Sequence, residues 1–321
     1  MKDRQKGEII EKIVNNTRQE ELTKDFSRKL LNLLRDKAVK GPRSFGFEYE
    51  FLPKEILSLD DMDRLYTFLP KWGFSPDGAV FVSPSGMRIA FEPGGQIEYC
   101  SPPLFPGEEE RLDRIFSEIE ETTETIHKEL GINYIALDYI PDRADAPLCL
   151  SSKRYLNLHA RMPEAGTRGR EMMKGTASIH LHVAILGVHE LIPLFLWLSV
   201  LSRSAEFEMS SNRRDIWNNT DPTRCSLPAA LQSPQQSSEQ WVEGFVRFTL
   251  NAVDLYDRIP YYQKRDITFQ GFLDHMTTIF TDVRLNLKGP TMELRTLDSI
   301  PLEAFRVKWK VFVDSLKEVW S

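Results

Sequence analysis

Apolar and polar residues alternate most strictly over 44–51, which reads Ser-Phe-Gly-Phe-Glu-Tyr-Glu-Phe. This period of two predicts a strand with its aromatic rings on one face and Glu48 and Glu50 on the other. Adjacent positions on one face lie roughly 6–7 Å apart, so two buried carboxylates there would repel each other unless a positive charge lay between them. The stretch is typical either of a divalent-cation site or of a strand whose polar face meets water.

The same alternation predicts further strands along the chain, at 87–91, 96–101, 133–139, 177–185, 282–287 and 291–297. A Pro-Gly-Gly run makes a tight reversal between the first two of these, and Lys288-Gly289-Pro290 separates the last two. We expect the polar faces of these strands to meet on one side of a sheet. That predicted face carries Glu48, Glu50, Glu98, His180, His182, Glu293 and Arg295.

Between the strands, apolar residues recur at spacings of three and four, which indicates helices. The segment 8–38 predicts a pair of helices that leads into the first strand and ends before Gly41-Pro42. A loop is predicted at 210–237, which is dense in Arg, Asn, Asp, Pro and Ser. The other helices are predicted at 60–69, 106–130, 151–162, 188–207, 239–259 and 302–319.

This order of helices, strands and hairpins predicts an α+β fold. We expect a largely antiparallel sheet, with helices packed on its apolar face and the acid-lined face forming the candidate site. A chain of 321 residues can bury one large core or two closely packed ones. Residues 1–43 are predicted to be a helical lead-in, and residues 44–321 a single catalytic domain.

The composition argues against two classes of partner. With 47 acidic and 41 basic residues the net charge is −6, so nothing favours general binding to nucleic acid or to an anionic membrane. The longest apolar run, 191–201, contains Pro193 and is shorter than the ~20 residues of a membrane span. Three scattered cysteines, and an N-terminal stretch without the apolar core of a signal peptide, predict a cytoplasmic protein.

Several carboxylates and a histidine on one sheet face are ligands with which Mg²⁺ or Mn²⁺ could neutralise nucleotide phosphates. The chain has neither a Gly-x-x-x-x-Gly-Lys-Ser/Thr loop nor a Gly-x-Gly-x-x-Gly turn, so a bound nucleotide would depend on cations and arginines. A zinc hydrolase that uses His180 and His182 is an alternative, because His-x-His is a common start of a zinc site. The arginines in or beside the polar stretches are Arg161, Arg168, Arg170, Arg213, Arg214, Arg224 and Arg295.

Five sequence blocks, in chain order, carry a resemblance to a known family. They read Phe-Gly-Phe-Glu48-Tyr-Glu50, Phe-Glu92-Pro-Gly-Gly-Gln96-Ile-Glu98, Met173-Lys-Gly-Thr176-Ala-Ser-Ile-His180, Ser211-Asn-Arg213-Arg-Asp-Ile-Trp217 with Asp221-Pro-Thr-Arg224, and Met292-Glu293-Leu-Arg295-Thr-Leu-Asp298. The chain resembles the plant-type and actinobacterial glutamate-cysteine ligases, which belong to the carboxylate-amine ligases with a glutamine-synthetase-like fold. The Glu-Pro-Gly-Gly-Gln-x-Glu block is specific, and the resemblance spans about residues 44–300.

The resemblance implies an ATP-dependent ligase, in which the side-chain carboxylate of glutamate is phosphorylated and an amine then displaces phosphate to form an amide. ATP would be a co-substrate, Mg²⁺ or Mn²⁺ the cofactor, and cysteine the default amine. The implied catalytic residues are Arg295 and Glu50. The implied substrate- or ATP-binding residues are Gln96, Thr176, Arg213 and Arg224. The implied metal ligands are Glu48, Glu50, Glu92, Glu98, His180 and Glu293.

Three departures from the family pattern bear on the choice of substrate. The chain reads His180-Leu-His182 where a Gln-x-x-Asp type sequence is expected, Cys-Ser-Leu-Pro after Arg224 where Thr-Gly is expected, and Tyr-Cys100 after Glu98. We expect these departures to leave the ATP and metal chemistry intact and to bear on the identity of the amine or of the acid. Two alternatives stay open beside cysteine: a different amine, and a catalytically silent member that binds a metabolite or a partner.

Overall fold

The centre of the fold is a strand, β1 (Phe45–Pro53), which pairs on both sides in an antiparallel sheet. The structure is a computed structural model that describes residues 2–226, 228 and 231–319. The other strands are β2 (Ser75–Asp77), β3 (Val80–Val82), β4 (Arg88–Phe91), β5 (Ile97–Cys100), β6 (Tyr134–Ile135), β7 (Ser178–Ala184), β8 (Val283–Asn286) and β9 (Thr291–Asp298). Over these ranges the sheet order is β2-β3-β4-β5-β1-β7-β9-β8, and β6 pairs with β1.

Helices fill the connections between the strands. The longer ones are α1 (Lys2–Lys37), α2 (Leu59–Lys71), α3 (Glu109–Leu130), α4 (Lys153–Ala165), α6 (Leu191–Leu201), α9 (Ser238–Asn251) and α11 (Leu302–Val319). The shorter ones are α5 (Gly169–Gly175), α7 (Ser211–Asn218), α8 (Pro222–Cys225) and α10 (Phe269–Met276). Single 3₁₀ turns lie at Val188–Glu190 and Tyr261–Gln263.

The aromatic face of β1 forms the centre of the core. The ring of Phe47 lies 5.9 Å from that of Phe116 on α3, and 5.1 and 5.5 Å from those of Phe305 and Trp309 on α11. Such tilted and edge-to-face pairs add about 0.5–1.5 kcal/mol each beyond the burial of apolar area. Because side chains alternate across a strand, packing this face against helices leaves Glu48 on the opposite face. The predicted α+β architecture, with an antiparallel sheet, is confirmed.

Local signals account for several helix ends. The hydroxyl of Ser58 accepts from the backbone N–H of Asp61, and the Asp61 carboxylate accepts from that of Ser58, so a reciprocal cap starts α2. Helix α3 ends at Gly131, whose φ of 72° is a left-handed conformation that glycine adopts without steric cost.

Some predicted elements were wrong. The predicted helix pair before β1 is one continuous helix, because no Gly or Pro within 8–38 interrupts it. Helix α9 ends at Asn251 rather than near 259. Shortly after Asn251, the Asp254 carboxylate accepts hydrogen bonds from two following backbone N–H groups and forms a turn. The predicted loop at 210–237 contains α7 and α8, which begin at side-chain caps from Ser210 and Asp221.

Among the helices in the described ranges, none has both the length and the apolar composition that crossing a bilayer requires. The division into a lead-in (1–43) and one catalytic domain (44–321) stays a prediction.

Candidate active site

The pairing of β1 with its two neighbours brings predicted polar residues onto one face of the sheet. In register, Glu48 lies opposite His180 of β7, and Glu50 lies opposite Glu98 of β5. Residues directly opposite each other have Cβ atoms about 4.5–5.5 Å apart, so these side chains share one small volume. The strand order therefore assembles acids and a histidine that lie more than 40 residues apart along the chain.

Glu48 lies between two imidazole rings. Its Oε2 lies 2.8 Å from Nδ1 of His180, and its Oε1 lies 3.6 Å from Nε2 of His182. Burial disfavours the Glu48 carboxylate, but the neighbouring His182 and His180 rings outweigh burial and hold its pKa well below the usual range. Glu48 is therefore an anion at neutral pH, with imidazole nitrogens on both sides.

Glu50 has one oxygen bound by the protein and one directed towards His180. Its Oε2 accepts hydrogen bonds from the backbone N and the Oγ of Ser178, at 2.7 and 3.0 Å. Its Oε1 lies 3.8 Å from Nε2 of His180, beyond hydrogen-bond distance. The Ser178 contacts fix the carboxylate and leave the second oxygen able to bind a ligand.

Two sets of ligand atoms lie close enough to share a cation. One set comes from Glu48, Glu98 and His180, the other from Glu48, His182 and Glu293, and the atoms of each set lie within 4.8 Å of one another. Carboxylate oxygens suit Mg²⁺ and Mn²⁺, and imidazole nitrogens suit first-row transition ions. The residues present fit a divalent cation, and Glu48 belongs to both sets.

Two carboxyl groups on this face have pKa values above the ordinary range. Burial, and then the charge of Glu48, raises the pKa of Glu98 well above that range, while burial and then Glu50 raise the pKa of Glu92 to about 8. Sγ of Cys100 donates a hydrogen bond to Oε1 of Glu98 at 3.2 Å. Without a cation these two carboxyl groups keep protons, which binding of a cation would release.

Arg284 of β8 lies in the site, although the sequence pattern did not single it out. Its Nε and Nη2 donate to the two carboxylate oxygens of Glu293 at 2.7 and 3.1 Å, and the side chains of Asn286 and Arg295 also donate to them. Burial acts to raise the pKa of Glu293, but Arg284 and His182 outweigh it and lower the pKa to about 2. The sequence could have indicated this position, since Arg284 and Asn286 share one face of their predicted strand.

Arg295 lies between the two sets of ligand atoms. Its Nη1 lies 3.1 Å from Oε2 of Glu293 and 3.4 Å from Nδ1 of His180. Its Nε is buried and has no hydrogen-bond partner in the part of the chain that the structure describes. Because a buried donor without a partner costs free energy, this N–H is available to an anionic ligand.

Helix α4 brings a third arginine, Arg154, near the acid-lined face. Arg154 is among the charges that lower the pKa of Glu92, against burial and the charge of Glu50, which raise it. The Arg154 guanidinium lies 5.1 Å from the ring centre of Tyr155, and its Nη2 donates to the carbonyl of Thr277 at 3.1 Å. The helical pattern of 151–162 gave no indication that these side chains approach the site.

Gln96 and Thr176, predicted to bind substrate, make hydrogen bonds within the protein. The Gln96 amide accepts from the backbone N of Gly94 at 2.8 Å and donates to the carbonyls of Met173 and Thr176 at 3.2 and 3.0 Å. Oγ1 of Thr176 donates to the carbonyl of Met172 at 2.8 Å. These contacts hold the Glu-Pro-Gly-Gly turn against α5, and a role in substrate binding stays a prediction.

Arg213 and Arg224 each donate a hydrogen bond to a carboxylate of the protein. Arg213 is 1% exposed and donates to Asp298 at 2.5 Å, and Arg224 is fully buried and donates to Asp221 at 3.1 Å. The Cys225 side chain, next to Arg224, is buried in an apolar cluster. In this arrangement both arginines join segments around the site, and their predicted binding of substrate is untested.

Comparison with known proteins gives several distant relatives. The chain is 25% identical to a chloroplastic glutamate-cysteine ligase of Arabidopsis thaliana over 76% of its length and 52% of the relative's. It is 24% identical to the glutamate-cysteine ligase EgtA of Mycolicibacterium smegmatis, over 68% of this chain and 57% of that protein. The chain thus spans about half the length of the curated relatives it matches.

Among solved structures, a bifunctional glutathione synthetase from Pasteurella multocida has a TM-score of 0.42 and 15% identity, over 87% of this chain and 39% of that one. The family model of glutamate-cysteine ligase family 2 (GCS2) matches residues 44–316. This match covers the whole sheet and the residues that line its acidic face. The resemblance found in the five sequence blocks is confirmed, and the chain belongs to glutamate-cysteine ligase family 2.

Proposed function

We propose that this protein is an ATP-dependent ligase that joins the side-chain carboxylate of glutamate to an amine through an acyl phosphate. The observation that carries the proposal is the position of Glu48, whose carboxylate belongs to two sets of cation ligands beside a buried arginine. Membership of a glutamate-cysteine ligase family supports the same chemistry. Phosphoryl transfer needs mainly in-line positioning and neutralisation of charge, which such a face can supply.

Glu48, Glu98 and His180 would hold one divalent cation, Mg²⁺ or Mn²⁺, and Glu50, Glu92 and Glu293 complete the proposed ligand set. A bound cation would neutralise the phosphate oxygens of ATP. Before the cation binds, the raised pKa values of Glu98 and Glu92 keep these carboxyl groups protonated and limit repulsion with Glu48. The protein thus stabilises a crowded group of acids by proton uptake until a cation replaces the protons.

In the first step, an oxygen of the glutamate carboxylate attacks the γ-phosphorus of ATP, and the bond from that phosphorus to the oxygen of ADP breaks. Arg295 is the proposed partner of the transferred phosphoryl group, because its buried Nε–H has no hydrogen-bond partner among the described residues. Arg284 and Asn286 hold Glu293, which in turn accepts a hydrogen bond from Arg295 and fixes its guanidinium. In the second step, the amine nitrogen attacks the acyl carbon, phosphate leaves, and the nitrogen loses a proton.

Glutamate is the proposed acid and cysteine the default amine, as the family name suggests. Two of the departures lie in the site: Sγ of Cys100 contacts Glu98, and His182 is in one of the two sets of ligand atoms. Changed contacts of this kind alter specificity by roughly 1–3 kcal/mol per group, which supports a different amine as the alternative. The third departure, at Cys225, is buried among apolar side chains and gives no support to it.

The zinc-hydrolase alternative is less well supported. It requires His180 and His182 to bind one ion, yet their nitrogens fall into different sets on the two sides of Glu48. A catalytically silent protein is disfavoured because all the carboxylates that the family resemblance implies are present in the chain. The cytoplasmic location predicted from the cysteines stays a prediction.

The test is turnover of ATP by the purified protein with glutamate, Mg²⁺ or Mn²⁺, and a panel of amino acids and simple amines that includes cysteine. We expect ADP and phosphate to appear in step with an amide product identified by mass spectrometry. Cysteine outpacing every other amine by more than ~100-fold would exclude an altered acceptor. No turnover with any acid and amine pair would contradict the ligase.

A further inference from the structure

Helices α1 and α9 lie side by side and are joined by ion pairs at two points. Nη1 of Arg247 donates to Oε1 of Glu20 at 2.7 Å, and Nη2 of Arg35 lies 3.7 Å from Oε1 of Glu239. Residue numbers rise along α1 from the first pair to the second and fall along α9, so the helices run antiparallel. The two pairs mark the ends of one stretch of surface that both helices share.

Between these two ion pairs the helices leave a groove of about 260 Å³. Lys24 of α1 and Glu243 of α9 line it, and both residues are exposed. Within the described ranges neither forms an ion pair, although the helices pair on both sides of them. Arg28, which also lines the groove, donates to Asp25 of its own helix at 2.8 Å. The groove thus has a cation on one wall and an anion on the other.

The floor of the groove carries a polar atom without a partner. Ser27 and Leu31 line the groove and are 2% and 7% exposed, so they lie beneath the charged side chains. Oγ of Ser27 is buried and has no hydrogen-bond partner in the part of the chain that the structure describes. Because buried hydroxyl groups nearly always have a partner, this oxygen indicates that the groove holds a ligand.

The groove lies on the side of the sheet opposite the acid-lined face. The ring of Trp241 on α9 lies 5.3 Å from that of Phe195 on α6, and both rings line one space with Val283 and Leu285 of β8. Side chains alternate along a strand, so these helices cover the face of β8 opposite Arg284. Helix α1 also precedes residue 44, where the match to the family model begins. The groove is therefore separate from the candidate active site.

We propose that this groove binds a free α-amino acid with an apolar side chain. The ammonium group pairs with Glu243, the carboxylate pairs with Lys24 and accepts from the hydroxyl of Ser27, and the side chain lies against Leu31. Pockets for drug-sized ligands usually enclose about 300–1,000 Å³, so a space of about 260 Å³ suits a molecule as small as an amino acid. A ligand with only one of the two charges would leave either Glu243 or Lys24 unpaired.

The experiment measures binding of L-leucine to the full-length protein by calorimetry, without ATP or a metal ion. Two compounds with the side chain of leucine carry a single charge: isoamylamine, which lacks the carboxylate, and isocaproate, which lacks the ammonium group. The variants Glu243→Gln and Lys24→Gln each remove one charge at an exposed helix position. Glu110→Gln is the control, because the side chain of Glu110 is exposed on α3.

We expect wild-type protein and Glu110→Gln to bind one leucine per chain, and each singly charged compound to bind at least about 10-fold more weakly. Glu243→Gln and Lys24→Gln should each lose about 10-fold in affinity for leucine. No binding of leucine to the wild type, or equal affinity in the wild type and Glu243→Gln, would overturn the proposal. Because ATP is absent, the result does not depend on the proposed ligase activity.

Discussion

Arg284 and Glu293 form a two-point ion pair across β8 and β9, with Nε and Nη2 at 2.7 and 3.1 Å from the two carboxylate oxygens. They face each other in register, and the side chain of Glu293 is fully buried. Planar pairing of this kind fixes orientation as well as charge, which a lysine could not reproduce. Glu293 thus has a rigid partner before any ligand binds.

Replacing Arg284 with methionine should destabilise the metal-free protein. Removing one partner of a buried ion pair costs roughly 3–5 kcal/mol, and we expect the lower end because Asn286 and Arg295 still contact Glu293. Urea unfolding measures the free energy of unfolding. The control is Arg247→Met, whose two-point pair with Glu20 is exposed and should matter much less. Equal losses in the two variants would contradict the importance of the buried pair.

Arg295→Lys should reduce turnover more than it weakens ATP binding. The change keeps the charge but removes the planar guanidinium, which contacts Glu293 and has an Nε–H without a hydrogen-bond partner in the ranges that the structure describes. An interaction made mainly in the transition state affects turnover, whereas one made equally with bound ATP affects affinity. Steady-state kinetics and ATP binding by calorimetry give the two quantities, with Arg203→Lys on the surface as control. Equal losses in turnover and affinity would indicate that Arg295 contacts bound ATP as strongly as it contacts the transition state.

Glu48→Gln and Glu50→Gln should each lower turnover by several orders of magnitude while the fold survives. Glutamine keeps the shape of the side chain but removes the charge that a cation needs. Glu110→Gln is a suitable control, because the side chain of Glu110 is 96% exposed on α3. Circular dichroism and thermal unfolding check the fold. A near wild-type rate in either site variant would mean that the acid is merely solvated.

In the metal-free protein, the Glu92 carboxyl group should contribute stability that is lost as pH rises from about 4.5 to about 8. Burial and Glu50 raise the pKa of Glu92 to about 8, so the folded state binds the Glu92 proton more tightly than the unfolded chain does. The stability linked to this proton is fully present below the pKa that Glu92 has in the unfolded chain. It is lost as the pH rises through the higher pKa that Glu92 has in the folded protein. At about 1.4 kcal/mol per pKa unit, the loss is roughly 2–5 kcal/mol.

Glu92→Gln tests this pH dependence, because it removes the titrating group and keeps its size. In urea unfolding across that pH range, the wild type should lose stability relative to the variant as pH rises. Parallel profiles would show that Glu92 is not the group responsible.

The alternation of 44–51 was enough to predict β1 and the face on which Glu48 and Glu50 lie, because a strand with one buried face has a strict period of two. It could not show that Glu48 lies between His180 and His182, since register depends on pairing between distant segments. Arg284 was missed although its predicted strand adjoins that of Glu293, because its role follows from the Glu293 opposite it. The sequence also could not show that Arg213 and Arg224 are buried, because they lie in a polar segment that was predicted as a loop.

The most direct test of the central claim follows an oxygen atom from glutamate to phosphate. Glutamate labelled with ¹⁸O in its side-chain carboxylate is supplied with ATP, a divalent cation and the best amine of the panel, and the released phosphate is analysed by mass spectrometry. Formation of an acyl phosphate predicts one ¹⁸O atom in each phosphate released, because the attacking carboxylate oxygen leaves with the phosphoryl group. Phosphate without ¹⁸O, released at the rate of product formation, would contradict the account.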